Sequence, residues 1–433
     1  MSALENILGM LPDRISSGKQ DQIFTPAHIA KEMVNALPKD IWNRHTTFFD
    51  PICKSGIFLY EIYQKLMESA DLIEAFPDQT SRREHIINNQ LFGIAVDLMC
   101  QMMSIRSVYG YLEPNSHIIL LNDYQTVMRN ADKRFLIETL QKEFGTMKFD
   151  VVIGNPPYNR GMDLDFVDLG YKLSNKYTCM ITPAKWQTAE ADQKIASKMT
   201  YGEFRKQLVP HMSKVVFYPD CNDIFDIKIK NGISYFVLAN QKVDKCLVVN
   251  KCERQKYFQS SAERDIKNME TLFNIGNEIT ELLSKSSKFK FPKFDNQKRY
   301  RLYCGNLITS SGGNEHFLTT DGKSLVSSAC KVIDTQSVWN EPSLTSNKIA
   351  YCSDDKMECD SFKSWLDTKF VRFFVLINIS AFSNVMDNHY FRFVPAPPSG
   401  KFDHIYTDEE LYKAFNLPQK YIDVIEAVIK ERK

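Results

Sequence analysis

The sequence predicts an α/β protein, with a mostly parallel sheet covered by helices on both faces and a second, less regular α+β region after it. Three observations carry this. Up to about residue 245, short apolar runs ending in polar or turn residues alternate with stretches whose apolar residues recur every three and four positions. Beyond about residue 250 the alternation stops. The 433 residues are 43% apolar, enough for two or three buried cores and against disorder as the main state.

Taken in order, the expected strands are TFFDP (47–51), QLFGIAV (90–96), HIILLND (117–123), FDVVIGN (149–155), YTCMITP (177–183), KVVFYP (214–219) and ISYFVLAN (233–240). Between them GIFLYEIYQKLMESA (56–70) and DLMCQMMSIRSVYGYL (97–112) have helical periodicity. In such sheets ligands bind at the carboxyl ends of strands, where the polar residues of these runs fall. Farther on, AERDIKNMETLFNIGNEITELLSKSS (262–287) reads as one polar helix, followed by the SSGG loop (310–313) and the proline cluster VPAPPSG (394–400). DEELYKAFNLPQKYIDVIEAVIKERK closes the chain as two short amphipathic helices. The expected domains are therefore 1–248 and 249–433.

Lys plus Arg (54) nearly cancel Asp plus Glu (53), so a preference for nucleic acid or a membrane surface has to come from a local patch. MSALENILGMLPDR lacks the features of a secretory signal, and no stretch approaches the roughly 18 apolar residues of a membrane span. A cytoplasmic protein without membrane contact is expected. The ten scattered cysteines form no C-x-x-C pair, which predicts buried free thiols and no metal.

The stretch FDVVIGNPPYNR (149–160) carries the chemistry. An apolar strand ends in Asn155, whose amide oxygen is an acceptor, and the Pro156 carbonyl is aimed by the fixed ring geometry of Pro156 and Pro157. Two acceptors converging on one point suit an exocyclic amino group, and Tyr158 adds a flat face for stacking. A nucleobase amine or a planar amide fits.

NPPY after such a strand resembles the catalytic motif of amino-group DNA methyltransferases, which methylate N6 of adenine or N4 of cytosine with S-adenosylmethionine. It recurs in enzymes that methylate glutamine in release factors and guanine in ribosomal RNA. The neighbouring motifs resemble the gamma, restriction-modification type in their order. FTPAHIAKEM (24–33) is similar to its first cofactor motif, which implies that Thr25 and Pro26 contact the methionine part of the cofactor. FFDPICKSGIFLYEI (48–62) is similar to its D-P-x-x-G-x-G-x-F-L signature, so Asp50, Pro51, Ile52, Cys53, Ser55 and Gly56 would surround the same moiety. Asp123 would accept from the cofactor's adenine amine with Tyr124 beside the ring, and Phe225, in CNDIFDIKIKNGISYFVL (221–238), would face the target base with Tyr158.

Two positions depart from the pattern. Lys54 stands where glycine is usual, and Ala95 stands where an acid usually binds the ribose hydroxyls. Either Asp97 takes over that role or the ribose is held less tightly. Adenine rather than cytosine follows from motif order and from NPPY. The implied fold is a Rossmann-like S-adenosylmethionine-dependent methyltransferase sheet, mixed but mostly parallel. In the implied reaction the target base is flipped from the duplex, and Asn155 and Pro156 accept its amino hydrogens.

Residues 285–301 concentrate seven basic residues against the single acid Asp295, with aromatics interleaved. Lys288, Lys290, Lys293, Lys298, Arg299 and Arg301 are candidate DNA contacts. The resemblance implies that 249–433 is the target-recognition domain, and nearly 190 residues there suit reading double-stranded DNA better than a glutamine or ribosomal RNA substrate. The rival from another class is a catalytically silent DNA-binding subunit on the same fold, which Lys54 and Ala95 keep open. Thr25 lies too near the N-terminus for a preceding nuclease domain, so a restriction endonuclease, if there is one, is expected as a separate protein. A bacterial or phage origin is implied.

Overall fold

The computed structural model describes residues 23–111, 113, 115–121, 134–158, 161–195, 199–225, 229, 232–253, 255–292, 295, 297–304, 330–336, 349–378 and 391–429. The first half alternates as expected. Its elements are α1 (Ala27–Ala36), β1 (Phe48–Cys53), α2 (Ile57–Met67), α3 (Ala70–Ala75), α4 (Gln79–Asn89), β2 (Leu91–Ala95), α5 (Leu98–Tyr109) and β3 (Ile118–Leu120). Then come α6 (Arg134–Phe144), β4 (Phe149–Gly154), α7 (Met162–Leu173), β5 (Ser174–Pro183), α8 (Lys185–Thr188), α9 (Tyr201–Leu208), β6 (Met212–Tyr218) and β7 (Ile233–Ala239).

All seven expected strands form. They lie in the order β3-β2-β1-β4-β5-β7-β6, with β7 antiparallel to both neighbours and the other described pairings parallel. The Rossmann-like, mixed and mostly parallel sheet is thus present. From β1 the chain winds outward through β2 to β3, then returns to β4 on the other side of β1. The pair β1/β4 is the switch point of the winding, where open α/β sheets leave a crevice beyond their strand ends.

Strand β1 is buried along its whole length. Its side chains alternate between two cores. Phe49 packs with Val152, Phe149 and Met180 on one face, and Phe48 with Val151, Ile153 and Cys179 on the other. Phe49 stacks on Phe149 with centroids 4.4 Å apart, which ties β1 to β4 below the crevice.

The sheet runs past residue 248, where the sequence places the domain boundary. Strand β8 (Lys245–Asn250) pairs parallel to β6 and spans that position, and β9 (Ser260–Asp265) pairs antiparallel to β8. The expectation of one helix over 262–287 is corrected accordingly. SSAERD is a strand, and the helix is only α10 (Asn274–Leu282). The reason is non-local: the Asn250 side chain at the end of β8 accepts from the Asn274 backbone N–H at 2.7 Å and starts the helix there.

The rest is α+β, as expected. Strands β10 (Tyr300–Cys304), β11 (Cys330–Asp334) and β12 (Ile349–Ser353) make an antiparallel sheet in the order β11-β10-β12. Helices α11 (Lys356–Asp367), α12 (Lys369–Leu376), α13 (Asp408–Ala414) and α14 (Gln419–Val428) complete it. Eight cysteines are free, seven of them buried. Cys330 is disulfide-bonded, which departs from the expectation of thiols throughout; the β10/β11 register sets it opposite Cys304. Among the described residues no helix is long and apolar enough to cross a membrane.

Candidate functional site

The carboxyl ends of β1 and β4 meet at the switch point. β1 ends in Asp50–Cys53 and passes through Lys54 and Ser55 to Gly56, which precedes α2 with φ of 76°. A Cβ at Gly56 would fall 2.7 Å from the Ser104 Cα, so glycine serves both the turn and the close approach of α5. Strand β4 ends at Gly154, and Asn155-Pro156-Pro157-Tyr158 runs on over the sheet end.

Asn155 is only 3% exposed. Its Nδ2 donates to the Thr25 Oγ1 at 3.0 Å and to the Ile23 carbonyl at 3.2 Å. Because a carbonyl can only accept, this pairing fixes which way the amide faces. The amide oxygen, buried as well, has no hydrogen-bond partner. A buried acceptor left unsatisfied costs about 1–3 kcal/mol, and such groups are associated with functional sites. The structure thereby joins two predicted residues 130 positions apart, Thr25 and Asn155.

Thr25 and Pro26 are held by the helix that follows them. Glu32 on α1 accepts from the hydroxyls of Tyr218 (3.0 Å) and Tyr235 (2.6 Å) and from the Lys251 ammonium, which pins α1 to β6, β7 and the start of the segment after β8. Asp50 is 2% exposed, and its carboxyl accepts from the Ile52 N–H at 2.9 Å. Burial pushes this carboxyl up to about 7, against the pull of that hydrogen bond and of the Lys54 charge. Burial also holds the Cys53 thiol protonated, and Ile52 and Ser55 are buried beside it.

Lys54 occupies the place of the usual glycine and points inward at 7% exposure. Its ammonium donates to the Ile23 carbonyl at 2.9 Å and to the Asn155 carbonyl at 3.0 Å. The lysine therefore bridges the Thr25 segment and the NPPY segment from the loop after β1. The sequence showed the departure but not this bridge, whose partners lie 31 and 101 residues away.

The ribose position is weaker. Ala95 ends β2 fully buried, and the Asp97 carboxylate accepts from the Cys100 N–H at 2.7 Å as the cap of α5. Just after it, Leu98 and Met99 are 60% and 72% exposed, an apolar pair at a sheet end that the sequence reading did not single out. Asp123 and Tyr124 lie outside the described residues.

Tyr158 keeps its ring partly exposed while its hydroxyl is buried without a hydrogen-bond partner, and burial holds that hydroxyl protonated. Phe225, the other residue predicted to face a base, meets it edge-on at 6.4 Å and 67°. Beside Tyr158 opens a cavity of about 410 Å³ lined by Asp163, Lys185, Trp186, Gln193 and Tyr201. Asp163, on the first turn of α7, is 5% exposed. Burial raises its carboxyl to about 7, helped by the Asp165 charge and opposed by backbone N–H groups and by Lys185. Burial in turn lowers the Lys185 ammonium. These residues were missed in the sequence, where the available signal was charge inside apolar runs, MDLDFV (162–167) and TPAKWQ (182–187).

The basic strip is largely satisfied from within the protein. Lys298 pairs with Asp354 at 2.8 Å, and Arg299 grips Asp334 with two hydrogen bonds of 3.2 and 2.8 Å. Lys288 is half-buried and reaches the Leu283 carbonyl, Arg301 is half-buried on β10, and Lys290 is exposed. Lys293 lies outside the described residues. Phe289 belongs to the core against Trp365, at 4.7 Å, and offers no stacking face. No group of three His, Cys, Asp or Glu that could hold a metal occurs among the described residues.

Residues 89–165, from β2 through NPPY, match the Eco57I restriction-modification methylase family. An "uncharacterized adenine-specific methylase" of Mycoplasma pneumoniae is 24% identical over 326 residues, covering 58% of this chain and 74% of that protein. Among solved structures, a modification subunit of a putative type I restriction enzyme from Vibrio vulnificus aligns at 14% identity and a TM-score of 0.39, over 57% of this chain and 50% of its own. A type I restriction-modification methyltransferase subunit from Streptococcus thermophilus aligns at 15% identity and 0.38, over 55% and 49%. This chain thus spans about half the length of each of these two structures.

Proposed function

We propose that the protein transfers a methyl group from S-adenosylmethionine to N6 of an adenine flipped out of double-stranded DNA, as part of a restriction-modification or phage/host DNA-modification system. One observation carries the reading: the buried, unpartnered Asn155 oxygen at the end of β4, held in place by Thr25 and Ile23. The family matched over residues 89–165 and the adenine-specific methylase relative point the same way.

The residues present suit the cofactor in several respects. The tight Gly56 turn lies at the β1/β4 switch point, where such sheets bind ligands, and Leu98 and Met99 after β2 are exposed apolar side chains suited to an apolar ring. When bound, S-adenosylmethionine supplies an electrophilic methyl group. The Asn155 oxygen and the Pro156 carbonyl accept the two N6 hydrogens of adenine, which localises the nitrogen lone pair for attack. Preorganised acceptors of this kind lower the barrier without reorganising during the reaction. Tyr158 and Phe225 hold the base by ring contacts, which offsets part of the few kcal/mol that flipping costs. The proton leaves to water after transfer.

In this reading residues 249–433 recognise the DNA target, with exposed Lys290 as a phosphate contact, and the protein acts in the cytoplasm, where its DNA is. A restriction endonuclease acts as a separate partner or is lacking. Lys54 and Ala95 keep open a second reading, a silent DNA-binding specificity subunit, against which the intact Asn155-Pro156-Pro157-Tyr158 stands. Transfer of labelled methyl from S-adenosylmethionine to unmethylated DNA, with the product base identified, decides between them. N6-methyladenine supports the enzyme. Cofactor binding without transfer to DNA redirects the assay to RNA or protein glutamine, and absence of cofactor binding favours the silent subunit.

A further inference from the structure

The cavity beside Tyr158 stands over the same sheet end as Asn155. Strands β4 and β5 are parallel neighbours paired through Gly154 and Met180, so Asn155 to Tyr158 after β4 and Ala184 and Lys185 after β5 leave the sheet side by side. Lys185 lies on α8, and that short helix is fixed from behind. Arg205 donates to the Trp186 and Ala189 carbonyls at 2.8 and 2.9 Å, and Gln187 to the Met269 carbonyl at 2.7 Å. The Lys185 ammonium lies 5.2 Å over the ring of Tyr201, which lines the same cavity. Among the described residues no hydrogen bond or ion pair engages that ammonium, and Asp163, another wall residue, acts on it only through its charge. A half-buried group with three N–H donors is thus held at a cavity wall with no acceptor.

The character of the cavity narrows what the donor is for. Its volume of about 410 Å³ is at the small end of the roughly 300–1,000 Å³ typical of small-ligand pockets, and Tyr158 and Tyr201 are among its walls. The Tyr158 hydroxyl, within reach of the Asp163 charge, is buried without a hydrogen-bond partner. Burial raises the Asp163 carboxyl and lowers the Lys185 ammonium, so the cavity disfavours net charge. A phosphate would add negative charge beside Asp163, whereas a neutral planar ring with lone-pair nitrogens would not. Resting on the methyltransferase reading above, we infer that this cavity receives the ring of the flipped adenine and that Lys185 is a specificity-determining residue there, donating to one ring nitrogen while Asn155 and Pro156 take the amino group. Charge-assisted hydrogen bonds are the strong kind, and one of them converts to roughly a tenfold to hundredfold discrimination.

The test uses the full chain and a duplex carrying the site mapped from N6-methyladenine in plasmid DNA that the protein has methylated. In three further duplexes the target adenine is replaced by 1-deaza-, 3-deaza- or 7-deazaadenine, each lacking one ring nitrogen and keeping the amino group. The kcat/KM for DNA is measured with wild type and with Lys185→Met. One analogue is expected to slow wild type at least tenfold. Lys185→Met should be at least tenfold slower than wild type on adenine yet indifferent to that analogue, so the two proteins converge on it, which also reports that the variant is folded. Lys185→Arg, which keeps a donor, should regain part of the sensitivity. The inference is overturned if no analogue slows wild type or if Lys185→Met keeps the full sensitivity. It is overturned as well if Lys185→Met loses the same factor on all four duplexes with a salt slope reduced by about 1, the mark of a phosphate contact. If wild type forms no N6-methyladenine in any DNA, the methyltransferase reading itself falls.

Discussion

Replacing Asn155 with alanine separates chemistry from stability, because the structure gives each a different size. The substitution removes two hydrogen bonds, to Thr25 at 3.0 Å and to Ile23 at 3.2 Å. The Ile23 carbonyl keeps the Lys54 ammonium at 2.9 Å, so it is not left bare. The lost bonds are worth about 0.5–1.5 kcal/mol each, and losing the unpartnered amide oxygen recovers some desolvation. A net stability loss of about 1 kcal/mol is expected, visible as a small shift in urea midpoint. The effect on rate should be much larger. Removing one preorganised hydrogen-bonding group from a site of developing charge typically costs about 10²–10³-fold in turnover. The assay is the initial rate of N6-methyladenine formation at saturating DNA and cofactor, with cofactor affinity measured alongside and expected to hold within a few-fold. A variant that still forms N6-methyladenine within tenfold of the wild-type rate refutes the role given to the Asn155 oxygen.

Three further outcomes are expected. Gly56→Ala forces a side chain into a residue with φ of 76° and brings Cβ to 2.7 Å from the Ser104 backbone, so it should destabilise by about 2 kcal/mol or more, measured by urea unfolding. Asp50 and Asp163 have carboxyls raised by burial from the ordinary 3.8 to about 7, so folding favours their protonated forms. Their stabilising contribution is full below about pH 4 and is lost as pH rises through 7, with a ceiling of about 4 kcal/mol for each. Urea midpoints should therefore fall between pH 5 and 8, and Asp163→Asn should flatten the fall; a flat wild-type profile contradicts this. In DNA binding, Lys290→Ala should reduce the salt slope by about 1, while Arg299→Ala should change it less, because Arg299 is already paired with Asp334. Equal slopes for the two variants would count against the exposed lysine as a phosphate contact.

Much of the first half was legible because its signals are local. Each of the seven strands is a short apolar run closed by a turn residue, and NPPY announces itself within four positions. What the sequence hid depends on distant partners. The helix read over 262–287 shrinks to α10 because Asn250 caps it and because SSAERD finds a partner in β8. Residues 285–301 look like a cationic strip until Asp334 and Asp354 are brought up beside them. Phe289 and Phe291, two of the aromatics interleaved there, pack edge-on at 4.9 Å, and Phe289 is buried in the core. Lys54 was visible as an anomaly, yet its use depends on carbonyls from two other segments.

The continuity of the core changes how the two halves must work together. One apolar cluster runs from Phe49 and Val152 under the sheet, through Val248 and Phe273, to Phe289 and Trp365. Specific bonds cross the same ground: Gln187, on the helix that lines the cavity beside Tyr158, donates to the Met269 carbonyl at 2.7 Å, and Thr271 donates to the Ile377 carbonyl at 2.9 Å. The wall of the cavity beside Tyr158 is therefore braced by residues beyond 248. A cut at 248 would split β8, strip β9 from its edge and bare the apolar face that Phe258 and Phe273 cover. The residues beyond 248 therefore help to set the shape of the cavity beside Tyr158. Substitutions around Met269–Asn274 should accordingly lower the initial rate of methyl transfer while leaving cofactor affinity, measured by calorimetry, within a few-fold.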